Sequence, residues 1–149
     1  MHYSEIVKNL FQDIESGNVR EAGKYLTDDF TFSGPTPTPV NKREYLDLHA
    51  ALLKAFPDWK FNLQNLQDQG RNRISGSVQI TGTHTGTLTL PDLPTVKPTN
   101  RKIRLPKERF ECTLEGDKIT EFKVEKSPDG GVSGIFQQLE VELPEGALA

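Results

Sequence analysis

The sequence predicts one α+β domain in which helices come first and an antiparallel meander of strands packs against them. Three observations carry that prediction. Apolar residues recur at helical spacing through the first 56 positions, the period falls to two from Trp59 onward, and the Gly- and Pro-rich breaks lie between these segments. A chain of 149 residues can bury one real core and has no room for a second. The domain is expected over residues 1–143, with the small, polar stretch 144–149 as a loose tail.

Ser4 caps a first helix in which Ile6, Leu10 and Ile14, joined by Val7 and Phe11, form one stripe that ends near Ser16-Gly17. Asn18, with Glu21 three residues on, opens a short second helix reaching Tyr25 or Leu26. Asp29 to Phe32 reads as a short strand, stopped by Gly34 and by Pro35, Pro37 and Pro39, which remove ladder donors. Asn41 and Glu44 repeat the capping pattern and start the third helix, with Tyr45, His49, Leu52 and Phe56 on one face, flanked by Leu46 and Leu53; Pro57 ends it. Trp59, Phe61 and Leu63 then alternate with polar residues, and a turn at Gln69-Gly70 leads to Ile74, Val78 and Ile80, which predicts a hairpin. Residues 89–101 hold three prolines and are expected to form a loop over the sheet or a lid. Ile103 to Leu114 and Lys118 to Lys126 pair as a second hairpin across Glu115-Gly116-Asp117, and residues 132–139 close the chain with a short helix after Ser127-Pro128-Asp129-Gly130-Gly131.

Composition excludes several function classes. The net charge is −3, and the 18 Lys and Arg residues are interspersed among 21 Asp and Glu, so no basic footprint for nucleic acid exists. No apolar run approaches the roughly 20 residues that span a bilayer. The amphipathic, acid-bearing start lacks the pattern of a signal peptide, and Cys112 has no partner for a disulfide, so a cytoplasmic location is expected. Cys112 alternates with Phe110 and Leu114, the pattern of a small core residue and not of a nucleophile. His2, His49 and His84 have no zinc-ligand spacing, and no phosphate loop or nucleophile elbow occurs; neither metal nor cofactor is expected.

Three places can carry chemistry. His49 lies on the apolar face of the third helix, where it is either a core histidine bonded to a backbone carbonyl or a pocket residue. His84 stands between Gly82 and Gly86, glycines that let a backbone or a ligand approach closely; it is either a pocket residue or a strand residue at a bend. On the last strand, Glu121, Lys123 and Glu125 share one face. A lysine between two carboxylates can tune an acid or orient a polar substrate, and it is more commonly a solvated face of charge pairs. Trp59 reads as core or pocket wall, since an indole buries much apolar area while keeping one donor to place.

The order of Ala55-Phe56-Pro57-Asp58, Gly82-Thr83-His84-Thr85-Gly86, Leu93-Pro94 with Pro98-Thr99, Asp117-Lys118-Ile119 and Gly134-Ile135-Phe136-Gln137-Gln138-Leu139 resembles the SnoaL-like branch of the NTF2-like superfamily, over most of the chain after residue 50. The resemblance implies a cone-shaped α+β fold, a curved antiparallel sheet on N-terminal helices around a small-molecule pocket. It also implies a homodimer across the outer sheet face, through residues 72–81 and 102–126. Cyclases of this kind carry a Trp and, four residues later, an acid/base Asp on the last strand. Placing Lys118-Ile119 on the family's pattern puts Lys123 and Ser127 at those positions, and a serine cannot replace a carboxylate near neutral pH without a partner. Asp129 or Glu125 would substitute if the register shifts.

The expected protein therefore binds a small, largely apolar molecule in a pocket lined by Tyr45, His49, Trp59, His84 and the last strand, including Lys123 and Ser127. As an enzyme it would be a cofactor-independent cyclase, isomerase or hydrolase acting on a carbonyl compound, with His84, His49 or Glu125 as the catalytic groups and Lys123 or an amide stabilising an oxyanion. The alternative is a non-catalytic ligand-binding or protein-interaction domain that has lost the acid.

Overall fold

The computed structural model describes residues 3–36 and 38–143. The expected tail at 144–149, together with His2 and Pro37, lies outside the described residues. Helix α1 (Tyr3–Glu15) buries the stripe Ile6, Val7, Leu10, Phe11 and Ile14, and ends where Gly17 takes a φ of 84°, a conformation that favours glycine. Helix α2 (Val19–Ala22) is shorter than expected and tightens into a 3₁₀ turn at Gly23–Tyr25; the Asn18 side chain makes no capping bond there. Helix α3 (Lys42–Ala55) has the complete capping box, with the Asn41 side chain accepting from the Glu44 N–H at 2.8 Å and Glu44 accepting from the Asn41 N–H at 3.0 Å. It buries Tyr45, His49, Leu52 and Ala55.

The strands are β1 (Leu26–Ser33), β2 (Val40–Asn41), β3 (Gln64–Gly70), β4 (Arg73–Val78), β5 (Thr81–Thr83), β6 (Lys102–Arg104), β7 (Glu108–Glu115) and β8 (Lys118–Val124). Six of them form a curved, unclosed sheet in the order β2-β1-β8-β7-β4-β3, while β5 and β6 pair separately. This is the expected α+β cone, with one departure. Strand β1 runs parallel to β8, because all of α3 and the meander separate the two in sequence and supply the long crossover that a parallel pair requires.

Two local expectations shift. The run Trp59 to Leu63 alternates like a strand, yet the ladder begins only at Gln64, because Asn62 sits at φ 50° and turns the chain out of register. The hairpin turn falls at Arg71-Asn72, not Gln69-Gly70; both residues have positive φ and Gly70 pairs with Arg73, the geometry of a type I′ loop that matches strand twist. Pro106 separates β6 from β7, so the stretch from Ile103 to Leu114 is two strands in different sheets. Helix α4 (Gly131–Gln138) closes the domain.

The inward face of the large sheet carries Phe30 and Phe32 of β1, Ile74 and Val78 of β4, Phe110 and Cys112 of β7, and Phe122 of β8. Phe11 of α1 meets Phe61 at 4.5 Å between ring centroids and Phe110 at 5.7 Å, and Phe110 stacks on Phe122 at 5.0 Å. Each such ring, fully buried, contributes about 1.5–3 kcal/mol. Cys112 is buried among them, its thiol pushed up by burial and by the nearby Glu111 charge.

Motif residues tie α3 to β5. The Ala55 carbonyl accepts from the N–H groups of Thr85 and Gly86 at 3.1 and 3.0 Å, and the Asp58 carboxylate accepts from the Thr83 N–H at 2.6 Å and hydroxyl at 2.7 Å. A Cβ on Gly86 would collide with the Lys54 carbonyl oxygen. The glycine thus serves a backbone approach between elements. Gly86→Ala is expected to lower unfolding free energy by about 2–4 kcal/mol in urea titration; a loss within about 0.5 kcal/mol would show that the contact relaxes without penalty.

Candidate functional site

Between α3, the inward sheet face and α4 lies a small cavity of about 50 Å³, walled mainly by Phe11, Phe32, Tyr45, Leu52, Trp59, Phe61, Phe122 and Ile135. Its lining is almost wholly apolar. Three titratable side chains interrupt it, Tyr45 and His49 from α3 and Glu108 from β7.

His49 is 5% exposed and packs against Tyr45 at 4.4 Å and Phe61 at 5.9 Å between ring centroids. Its Nδ1 lies 2.9 Å from the Tyr45 carbonyl oxygen one turn earlier, an acceptor that places the proton on Nδ1 and leaves the Nε2 lone pair free to accept. Burial holds its pKa down at about 4 against the weaker opposing pull of that carbonyl. Both sequence readings of His49 are therefore true together, since a carbonyl-bonded core histidine is also a cavity residue. The Tyr45 phenol is pushed far above its ordinary range by burial, so it stays protonated.

Glu108 was not among the residues expected to matter. It is 4% exposed, and burial raises its pKa while the Gly131 amide, pulling the other way, favours the carboxylate. It pairs with Val78 at the inner edge of β7, and its carboxyl rests on Gly130, where a Cβ would come within 3.0 Å of Cδ. The glycine makes room for the acid at the start of α4. A signal existed in the sequence: stepping the Phe110, Cys112, Leu114 alternation back by two puts Glu108 on the inward face. Glu108, Pro35 and Gly131 also line a polar recess of about 140 Å³ with Thr36, Lys126, Ser127 and Ser133. The acid therefore stands between the apolar cavity and a polar vestibule.

The structure redistributes the other expected residues. Tyr45 and Trp59 line the cavity. His84 does not; it is fully buried beneath the loop after β5, its Nδ1 accepting from the Thr99 N–H at 3.2 Å and lying 2.9 Å from the Thr99 hydroxyl, its ring 5.3 Å from Phe56. Burial lowers its pKa as well. The flanking glycines bring strand and helix together and do not admit a ligand to the imidazole. Lys123 and Glu125 face outward, paired with Glu121 at 3.5 Å and Arg109 at 3.2 Å, because the inward positions of β8 belong to Phe122 and Val124. Ser127 lies in the vestibule beside Glu108. Among the described residues, no group of three or more His, Cys, Asp and Glu side chains could hold a metal ion, and no helix is long and apolar enough to cross a membrane.

Pro35 borders the cavity. Both proline-rich segments are irregular where described, and they meet α3 along a surface groove of about 460 Å³ that includes Thr36, Thr38, Pro91 and Leu93. Leu48 and Val132 line cavity and groove alike.

Residues 7–122 match the profile of the SnoaL-like domain. The chain belongs to the SnoaL-like family of the NTF2-like superfamily. No curated protein matches it in sequence. Among solved structures it is similar to IdmH, a candidate polyketide cyclase from Streptomyces antibioticus, with 18% identity, a TM-score of 0.71 and coverage of 95% of this chain and 100% of that one. A candidate polyketide cyclase from Acidithiobacillus ferrooxidans shares 21% identity over 91% of this chain and 92% of its own, with a TM-score of 0.65. A candidate SnoaL-like polyketide cyclase from Jannaschia sp. CCS1 matches at 18% identity and TM-score 0.65, covering 80% of this chain and 81% of its own. At these identities the likeness shows the shared fold.

The pKa of His49 sets a pH dependence with a definite sign. Between pH 6.5 and about 4 the unfolded chain protonates this histidine and the folded chain does not, so stability contributed by its neutral burial is lost as pH falls through that window. The full loss is on the order of 3 kcal/mol. Glu108, raised in the fold, acts with the opposite sign above its ordinary value. Urea titrations at pH 7, 5.5 and 4.5 should therefore show a shallower acid destabilisation in His49→Gln than in the parent, and equal slopes would contradict the neutral, buried state.

Proposed function

We propose that this SnoaL-like protein binds a small, largely apolar carbonyl compound in the cavity and moves a proton on it without a cofactor, as a cyclase or isomerase does. The observation that carries this reading is a buried carboxyl, Glu108, that lines an apolar cavity together with a neutral histidine, His49. A carboxylate whose pKa is raised by burial is a stronger base than one in water, and its protonated form is a ready acid closer to neutral pH. Glu108 takes the proton from a carbon beside the carbonyl and returns it elsewhere on the ligand. Nε2 of His49 accepts from the ligand's hydroxyl or enol and orients it. The vestibule of Lys126, Ser127 and Ser133 gives Glu108 a polar side on which to exchange its proton with water. Ser127, where the family resemblance expects an Asp, thus neighbours an acid that arrives from the adjacent strand.

The cavity volume of about 50 Å³ supports a second reading. It is smaller than usual ligand pockets, and a protein that has given up chemistry would be expected to let such a cavity collapse. Cyclohexanone in D₂O separates the readings. The parent protein should accelerate deuterium uptake beside the carbonyl, Glu108→Gln should lose roughly 10² to 10⁴ of that acceleration while still binding, and His49→Gln should lose less. Binding without catalysed exchange would favour the non-catalytic module.

The protein is further proposed to act in the cytoplasm as a homodimer joined across the outer sheet face. That face is polar, with Arg73–Glu111, Arg109–Glu125 and Lys123–Glu121 pairs, so the association is expected to be hydrated and salt-sensitive. Light scattering at micromolar concentration should give twice the 16.7 kDa of one chain, and a monomer at all salt concentrations would count against it.

A further inference from the structure

Trp59 is 2% exposed, lines the cavity, and has a buried indole Nε1 with no hydrogen-bond partner. A buried polar group left unpaired costs about 1–3 kcal/mol; the Thr27 hydroxyl and the His84 Nε2 are also unpaired among the described residues, but of the three only Trp59 lines the cavity. The remaining walls near it are aromatic: Phe56 at 5.9 Å, Phe61 at 6.0 Å and the His49 ring at 6.5 Å between centroids, the last two nearly perpendicular to the indole. None of those benzene rings offers an acceptor lone pair, and the His49 Nε2, though free to accept, makes no hydrogen bond to the indole. The backbone locates the indole firmly, since the Trp59 N–H bonds the Phe56 carbonyl at 2.9 Å and Lys60 bridges to Thr81.

We infer that the Trp59 indole N–H is the donor that selects an oxygen-bearing ligand and, during proton transfer, holds the oxyanion. This rests on the carbonyl reading above and deepens it by assigning the third group. Lys123, the sequence-based expectation for that task, points away from the cavity, and Trp59 supplies a neutral donor from within. An enolate oxygen gains charge as the proton leaves carbon for Glu108, so an N–H aimed at it strengthens along the reaction. Specificity follows from the same atom. A ligand with an acceptor oxygen satisfies the orphan donor, whereas a hydrocarbon of the same shape leaves it buried and unpaired.

Since Trp59 is the chain's sole tryptophan, its indole gives a single, self-assigned ¹⁵N–¹H resonance. Labelled protein is titrated with cyclohexanone and, separately, with methylenecyclohexane, which replaces C=O by C=CH₂ at nearly constant shape. Cyclohexanone should bind more tightly and move the indole proton downfield, while methylenecyclohexane should not produce that shift. Trp59→Phe should weaken cyclohexanone binding about tenfold and leave methylenecyclohexane within about twofold. Cyclohexanone that binds and exchanges deuterium with the indole resonance unmoved, or a variant that weakens both probes equally, would overturn the donor role and leave the proposed function standing. If neither probe binds, the carbonyl reading falls and this inference falls with it. The shift in the parent protein decides the matter even if Trp59→Phe fails to fold.

Discussion

The cavity depends on the junction where the C-terminus of α3 meets β5. There the last helical carbonyl, on Ala55, accepts two N–H groups from the chain after β5, while Asp58 accepts two hydrogen bonds from Thr83. Orphan carbonyls at a helix end need partners, and a second chain segment can supply them only if it comes very close. Glycine at 86 makes that approach possible. With the junction closed, Trp59 and Phe61 leave the helix at a fixed angle and pass under α3, and His49, just under two turns upstream of Phe56, is held against them.

The site built on this frame is one of opposed environments. His49 and Glu108 are both removed from water, and burial pushes the histidine down and the carboxyl up. Each group is thereby biased toward its neutral form, so the two share an apolar cavity without forming an ion pair. The two elements that carry them answer to different constraints. His49 is set by helical spacing and by its own backbone carbonyl, whereas Glu108 is set by strand register and by the glycine at the start of α4.

The histidine and glycine pattern at 82–86 shows how a family resemblance can be right about the fold and misplace a role. The motif marks a close approach, and the sequence alone leaves open whether ligand or backbone fills the space. In the folded chain the space belongs to α3, and His84 ties the following loop down through Thr99. Likewise the alternation on β8 was legible, but which of its faces turned inward was not. The Lys123–Glu121 pair and the pairing of Glu125 with Arg109 of β7 on the outer surface, and the aromatic packing of Phe122 inside, settle it together.

The sequence by itself determined the fold class, the helix boundaries at Asn41 and Pro57, the proline-rich breaks, the core role of Cys112 and the inward-facing positions of Tyr45 and His49 on the third helix. These follow from periodicity and capping, which act between residues close in the chain. Only the tertiary structure decided that Glu108 reaches the cavity, that His84 does not, and that Lys123 and Glu125 face outward. Those outcomes depend on which strands become neighbours and where a glycine leaves room. Such facts arise between segments distant in sequence, where β1 can pair in parallel with β8 and the start of α4 can rest against β7.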